Sequence, residues 1–316
     1  MAPSFTSPKQ ALEQGVCGQH GWSSRYFRDP ATGCWCVEVR WGVGPDAGRV
    51  FASEDASEDT KPGAKRGHAA AATVALAGLA DVLAVANAKP AVTIEAAFGP
   101  RFDATCRVVP TWSAFWALCA SAAPPPVVAI DVEGNLRAPP VLVQACAWCD
   151  AGEDLSVCVL EAPSATDGLS EDLRRLLADD RVVKVFCDGS GGADKRSLGV
   201  DSREGARSSV VDLEVLATEL AGATGVKRGL ARILNLAWPE RAFRATKDAK
   251  GDVSSVKFFA DVEQGKRPRL GGVRDVPRSA ARYAAMDAWC TLVAYRGLAR
   301  FAGREGSGRR CERSIA

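Results

Sequence analysis

The sequence predicts an α/β protein in two parts, a three-layer α/β/α domain preceded by a small α/β module. Three observations carry that expectation. From about residue 105 to residue 187, apolar β-branched runs recur with short connections, and helix-like segments then follow to the end. A sheet built first and covered afterwards by helices is a layered α/β arrangement. The first 88 residues hold strand-like runs of their own between two helix-forming stretches. A chain of 316 residues is also long for one compact domain and comfortable for two. The expected boundaries are 1–88 for the module, 89–102 for a linker, 103–303 for the larger domain and 304–316 for a basic flexible tail.

In the module, Ser7-Pro-Lys-Gln-Ala-Leu-Glu-Gln14 opens a short helix. Cys34-Trp-Cys-Val-Glu-Val-Arg-Trp41 alternates with period two and reads as a strand. The Gly- and Pro-bearing stretch 42–48 reads as a turn, and Arg49-Val-Phe-Ala52 as the returning strand. The Ala-rich segment from Lys65 to Leu79 reads as a helix with a basic first turn. Cys17, His20, Cys34 and Cys36 offer four zinc-type ligands. Their spacing fits no common zinc module, however, and Trp35 and Trp41 argue for a packed sheet. Ala88-Lys-Pro-Ala91 and Phe98-Gly-Pro-Arg101 interrupt the pattern and mark the linker.

In the larger domain, Thr105-Cys-Arg-Val-Val109 starts an edge strand and Thr111 caps a helix through Ala120. Pro126-Val-Val-Ala-Ile-Asp-Val-Glu-Gly134 is a buried strand, followed by strand candidates at Val141–Trp148 and Leu155–Leu160. Three strands with short connections form an antiparallel meander. Leu169–Leu177 has helical spacing, Val182–Cys187 is a further buried strand, and helical segments then follow. Asp212 stands where an N-cap would.

The apolar fraction of 47% and charged fraction of 25% are those of a globular protein, and a net charge of +2 makes any basic face a local patch. Eleven cysteines, an odd number with several inside apolar runs, fit buried reduced thiols better than a disulfide framework. No stretch is apolar for long enough to span a bilayer, and the start lacks a secretory core. The expectation is a soluble intracellular protein, in nucleus or cytoplasm with organelle targeting left open, and without a membrane partner.

Asp131 and Glu133 lie two apart at the end of their strand, so their carboxylates share a face. Such a pair repels itself unless a cation holds it, and Mg²⁺ takes that kind of oxygen cluster. Tyr283 and Asp287 lie four apart in a helical context and share a face as well. Lys247, Lys250, Lys257, Lys266, Arg267 and Arg269 make the segment before that helix basic, either to follow a nucleic-acid backbone or as a solvated face.

Taken together, Ala129-Ile-Asp-Val-Glu-Gly134, Val143-Gln-Ala145, Lys184-Val-Phe-Cys-Asp188, Val211-Asp-Leu-Glu-Val-Leu-Ala217, Gly229-Leu-Ala-Arg-Ile-Leu234 and Tyr283-Ala-Ala-Met-Asp-Ala288 resemble the DEDDy 3′–5′ exonucleases, the group of ribonuclease D and the Werner-type exonuclease domains. The resemblance covers roughly residues 103–303 and implies a ribonuclease H-like fold. It also implies a two-metal mechanism with Mg²⁺ or Mn²⁺ (two ions) and a nucleic-acid substrate, RNA or DNA, attacked from its 3′ end. By that resemblance Asp131, Glu133, Asp194 and Asp287 would ligate the metals and Tyr283 would orient a water. Asp194 departs from the family spacing: it comes two residues late after Lys184, and Gly192 holds the usual place. Asp188 would be the less suitable substitute. The alternative is a catalytically degenerate member that acts as a nucleic-acid-binding or scaffold protein. The module resembles a double-stranded-RNA-binding domain, in which Lys65, Arg66 and His68 would grip phosphates.

Overall fold

The computed structural model describes residues 5–20, 22–42, 48–119, 127–134, 139–149, 155–164, 166–188, 192–200, 209–220, 229–238, 243–246 and 253–305. The chain divides into two compact units, residues 1–92 with 217–246 and residues 93–216 with 247–316.

The first unit opens with α1 (Pro8–Gln10), capped by Ser7 and running on through a π-helical stretch, Ala11–Cys17, into α2 (Gly18–His20). Strands β1 (Ser23–Arg28), β2 (Trp35–Arg40) and β3 (Gly48–Ala52) form an antiparallel sheet in that order. Helix α3 (Lys61–Gly78) lies over it, capped by the Thr60 hydroxyl, which accepts the Gly63 amide at 3.2 Å. The helix comes close because its inward residues are small. A Cβ at Gly67 would stand 1.9 Å from the Trp35 ring, and Ala71, Ala72 and Ala75 are fully buried. Leu12, Trp22, Val37, Val39, Phe51 and Leu79 complete this core. Helix α4 (Ala80–Ala88) and β4 (Ala91–Thr93) follow.

The expected linker at 89–102 is structured instead. Thr93 caps α5 (Ile94–Thr105) by accepting the Ala96 amide at 3.0 Å, and Ile94, Phe98 and Phe102 are buried at helical spacing. Pro100 sits inside this helix. Burial of the aromatic face outweighs the hydrogen bond that the proline lacks.

The second unit is built on a six-stranded mixed sheet in the order β10-β9-β6-β7-β8-β5. Its elements are β5 (Cys106–Val109), α6 (Trp112–Cys119), β6 (Val127–Glu133), β7 (Leu142–Trp148), β8 (Ser156–Glu161), α7 (Glu171–Ala178), β9 (Val183–Phe186), α8 (Ala193–Ser197), β10 (Val210–Asp212) and the first half of α9 (Leu213–Leu220), whose residues from Ala217 on fall in the first unit. The expected meander is present, with β6, β7 and β8 antiparallel and β5 parallel to β8 at the edge. Strands β9 and β10 run parallel to β6. Val128, Ile130, Val132, Val143, Ala145 and Val157 form a core with Trp112 and Phe115 of α6 and Leu173 and Leu176 of α7. Alternation turns Ala129, Asp131 and Glu133 to the opposite face.

The chain then returns to the first unit, a segment the sequence placed within 103–303. There α10 (Gly229–Ala237) is tied to β11 (Arg244–Thr246) by the Asn235 side chain, which donates to the Ala245 carbonyl at 2.9 Å and accepts its amide at 2.8 Å. Strand β11 pairs with β4. The second unit closes with α11 (Val253–Glu263) and the long α12 (Arg278–Glu305), which crosses β6, β7 and β8. No single helix among the described residues is long and apolar enough to cross a membrane. Residues 306–316 of the expected tail lie outside the described residues.

Candidate metal centre

Strand β6 delivers Asp131 and Glu133 from its C-terminal end. The pairing of Asp131 with Gln144 and of Glu133 with Leu142 fixes their register. Gly134 ends the strand at φ +67°, and a Cβ there would meet Val141 Cγ2 at 2.4 Å. A β-carbon is excluded twice over, by conformation and by contact.

Helix α12 brings the third acid. Ala284, Ala285 and Ala288 are fully buried around Asp287, so the helix axis lies close to the sheet. Its rotation is fixed by two anchors on α5. The Trp289 ring packs edge-on against Phe98 and Phe102, with centroids 6.5 and 5.8 Å away. Arg282 donates to both carboxylate oxygens of Asp103, at 2.9 and 2.7 Å, and pairs with Glu95 at 2.7 Å.

Asp131, Glu133 and Asp287 consequently gather, each offering a carboxylate oxygen within 4.8 Å of the others. Asp287 is buried and the other two are half-buried. Three carboxylates this close repel one another at low local dielectric. A hard divalent cation relieves that repulsion, and an all-oxygen donor set suits Mg²⁺ or Mn²⁺ rather than a thiophilic metal. Tyr283 stands one helical turn before Asp287 on α12 and is half-buried.

Asp194 lies outside this group of three. It is buried, at 7% exposure, in the short helix α8, entered through Gly192 in the left-handed region at φ +53°. Asp188 is used locally: its Oδ2 accepts the Lys195 amide at 3.1 Å. Residues 189–191 of the Gly-rich turn lie outside the described residues. Asp212 is the N-cap expected of it, accepting the amides of Glu214 and Val215 at 2.9 and 3.4 Å, and it also forms a buried ion pair with Lys195.

The acidic field is broader than three residues. Burial pushes the Cys187 thiol well up, and the carboxylates of Glu214, Asp131, Asp212 and Asp287 add to that. Strands β6, β9 and β10 run parallel, so this charge collects at their shared C-terminal edge. Glu214 was not singled out from the sequence, because one acid in the first turn of a helix carries no signal. Gln144 is fully buried and, among the described residues, neither polar atom of its side-chain amide has a hydrogen-bond partner. Its sequence signal was a polar residue inside an otherwise apolar strand.

Outside the metal centre, Lys65 and Arg66 are exposed on α3, whereas His68 is turned inward. Its ring stacks on Tyr26 at 4.5 Å, meets Trp35 edge-on at 4.7 Å and lies 3.2 Å from Lys9 Nζ. Cys17, His20, Cys34 and Cys36 do not gather as a metal site among the described residues. His20 packs on Trp22 and accepts from Arg244 at 3.2 Å instead. The ten described cysteines are free thiols. In the basic segment, Lys266 and Arg267 pair with Asp261, Arg269 donates to the Pro139 carbonyl, and Lys257 is exposed. Lys247 and Lys250 lie outside the described residues.

No protein-family model matches the chain, and no curated protein matches it. Among solved structures, the chain is similar to one described as the apo form of a nuclease, at 18% identity over 66% of this chain and 85% of that one, with a TM-score of 0.41. It is similar also to Brucella melitensis NrnC and to NrnC with bound Mg²⁺, each at 17% identity over 65% of this chain and 85% of the other, with TM-scores of 0.37 and 0.38.

Two measurements test this geometry. Without divalent cations, Asp131→Asn is expected to raise the thermal midpoint, because it removes a repelling charge. With Mg²⁺ at a hundredfold excess over its Kd, the unaltered chain should gain ~2.7 kcal/mol and the variant far less. Burial and then a neighbouring cation, Arg244 for His20 and Lys9 for His68, hold both histidines below their ordinary pKa. The unfolded chain therefore binds more protons below about pH 6.5, so stability is full above that value and falls as pH drops through it. Titration of the chain's only two histidines by NMR should give midpoints below about 6.5.

Proposed function

We propose that the chain is a metal-dependent nuclease of the DEDDy 3′–5′ exonuclease type, hydrolysing phosphodiester bonds of nucleic acid, with RNA favoured. The observation that carries this reading is the meeting of Asp131, Glu133 and Asp287 within 4.8 Å, from the end of one strand and the middle of one helix. Those are the residues the resemblance assigns to metal ligation. The mixed sheet, covered by helices on both faces, is consistent with a ribonuclease H-like fold.

In this reading Asp131, Glu133, Asp194 and Asp287 hold two ions, Mg²⁺ or Mn²⁺. When bound, such ions activate water and stabilise charge on the leaving 3′ oxygen. The chain's own residues set the geometry. Arg282 and Trp289 fix the angle at which α12 presents Tyr283 and Asp287. The Tyr283 hydroxyl orients the attacking water, a positioning role rather than a nucleophilic one. Lys195 screens Asp212 and keeps it from competing as a ligand. Lys65 and Arg66, exposed on the helix that closes an α-β-β-β-α arrangement, would hold duplex RNA by its phosphates; His68 is committed to packing.

The rival reading is a catalytically degenerate nucleic-acid-binding protein, and the position of Asp194 outside the group of three favours it. A 5′-labelled single strand of RNA or DNA incubated with Mg²⁺ or Mn²⁺ decides between them. The proposed enzyme gives a ladder shortened from the 3′ end. Asp131→Asn, Asp287→Asn and Asp194→Asn each lower the rate about a hundredfold or more, since loss of a ligand forfeits several kcal/mol of transition-state stabilisation. Tyr283→Phe lowers kcat by about tenfold to a hundredfold with KM nearly unchanged. Strand retention without shortening under either metal supports the rival.

A further inference from the structure

The first unit holds a recess of about 170 Å³ that no step above uses. Its walls are aromatic, formed by Trp22, Trp41, Trp238 and Phe243, and its cations are Lys89 and Arg244. Among the described residues no Asp or Glu lines it. At this volume it is smaller than the roughly 300–1,000 Å³ of sites for drug-sized ligands, so it takes one ring system rather than an extended molecule.

The electrostatics of Arg244 sharpen the assignment. One guanidinium nitrogen, Nη1, lies 3.2 Å from His20 Nδ1, so the histidine ring is the neutral acceptor. Among the described residues its buried Nε has no hydrogen-bond partner and no carboxylate pairs with this arginine. Its charge thus shares the recess with aromatic walls, and among the described residues no anion answers it. Trp22 stands between His20 and Trp41, with ring centroids 4.9 and 6.0 Å apart, so part of the wall is already in place. An aromatic group bearing a negative charge complements both features: the ring stacks on the walls and the anion meets Arg244 and Lys89.

We propose that this recess binds one nucleotide, with the base against the aromatic walls and the phosphate on Arg244 and Lys89. The choice of a nucleotide among aromatic anions rests on the nuclease reading; the site's demand for an aromatic anion does not. The nucleotide is either free or one unit of a single strand. In the second case the recess holds a single strand with little preference for sequence, since stacking on aromatic side chains is tolerant of base identity.

The test uses the intact chain carrying Asp131→Asn, without divalent cations, so that no strand is cut and no nucleotide is held through metal. Equilibrium dialysis with AMP, adenosine, inorganic phosphate and an adenylate hexamer is read beside tryptophan fluorescence. AMP should bind saturably, with adenosine and phosphate each about tenfold weaker or more. Arg244→Gln or Lys89→Gln should weaken AMP about tenfold and leave adenosine unchanged, and Trp238→Leu should weaken both. Lys89 is only half-buried, so its variant keeps the test decisive should the Arg244 variant fail to fold. A hexamer bound at least tenfold more tightly than AMP assigns the site to a strand, and equal affinity assigns it to the free nucleotide. Absence of saturable AMP binding overturns the proposal, as does AMP affinity unmoved by either charge variant. Strand shortening by the unaltered chain without AMP binding would remove this site alone. AMP binding without strand shortening would remove the nuclease reading alone.

Discussion

Mutual repulsion of Asp131, Glu133 and Asp287 is the constraint around which the second unit is arranged. Left to themselves, three carboxylates within 4.8 Å of one another would turn apart. The fold denies them that escape. Two are fixed on one face of β6 by the register of its pairing with β7, and the third rides on a helix whose alanines draw it against the sheet. Such repulsion is tolerable where a cation relieves it, and the three oxygens lie close enough together to hold one.

Residues remote from the acids maintain this constraint. Arg282 is braced by Asp103 and Glu95, and Trp289 is wedged against Phe98 and Phe102, so α5 sets the rotation of α12. A turn of that helix by even a fraction of its pitch would carry Asp287 off the sheet. On the other side of β6, Lys195 binds Asp212 within the acidic edge and limits the charge that converges there. The fully buried Gln144 amide, without a hydrogen-bond partner among the described residues, pairs in register with Asp131 and adds a polar group where the rest of β7 is apolar.

Much of this was legible in the sequence, for definable reasons. Strands β6, β7 and β8 are long apolar runs, and same-face spacing alone brought Asp131 to Glu133 and Tyr283 to Asp287. The link between the two pairs, some 150 residues apart in sequence, came from the family resemblance, since no local pattern encodes a contact of that range. Helix α5 was hidden because Gly99 and Pro100 look like a break, yet the burial of Phe98 and Phe102 overrides them. The return of 229–246 to the first unit was hidden because β11 is three residues long and pairs with β4, a strand as short and more than 150 residues earlier. His68 looked like part of a basic patch from its neighbours in sequence; Tyr26 and Trp35 claim it in space. Asp194 follows a run of glycines, which specify little about where the acid behind them points.

The central claim, that the acids of β6 and α12 form one divalent-cation site, is tested most directly by a crystal of the intact chain grown with saturating Mn²⁺ and measured at the manganese absorption edge. The account predicts an anomalous peak between Asp131, Glu133 and Asp287, with carboxylate oxygens at about 2.0–2.3 Å. A map in which those carboxylates remain apart with no peak between them, at a metal concentration that populates other sites on the protein, would contradict it.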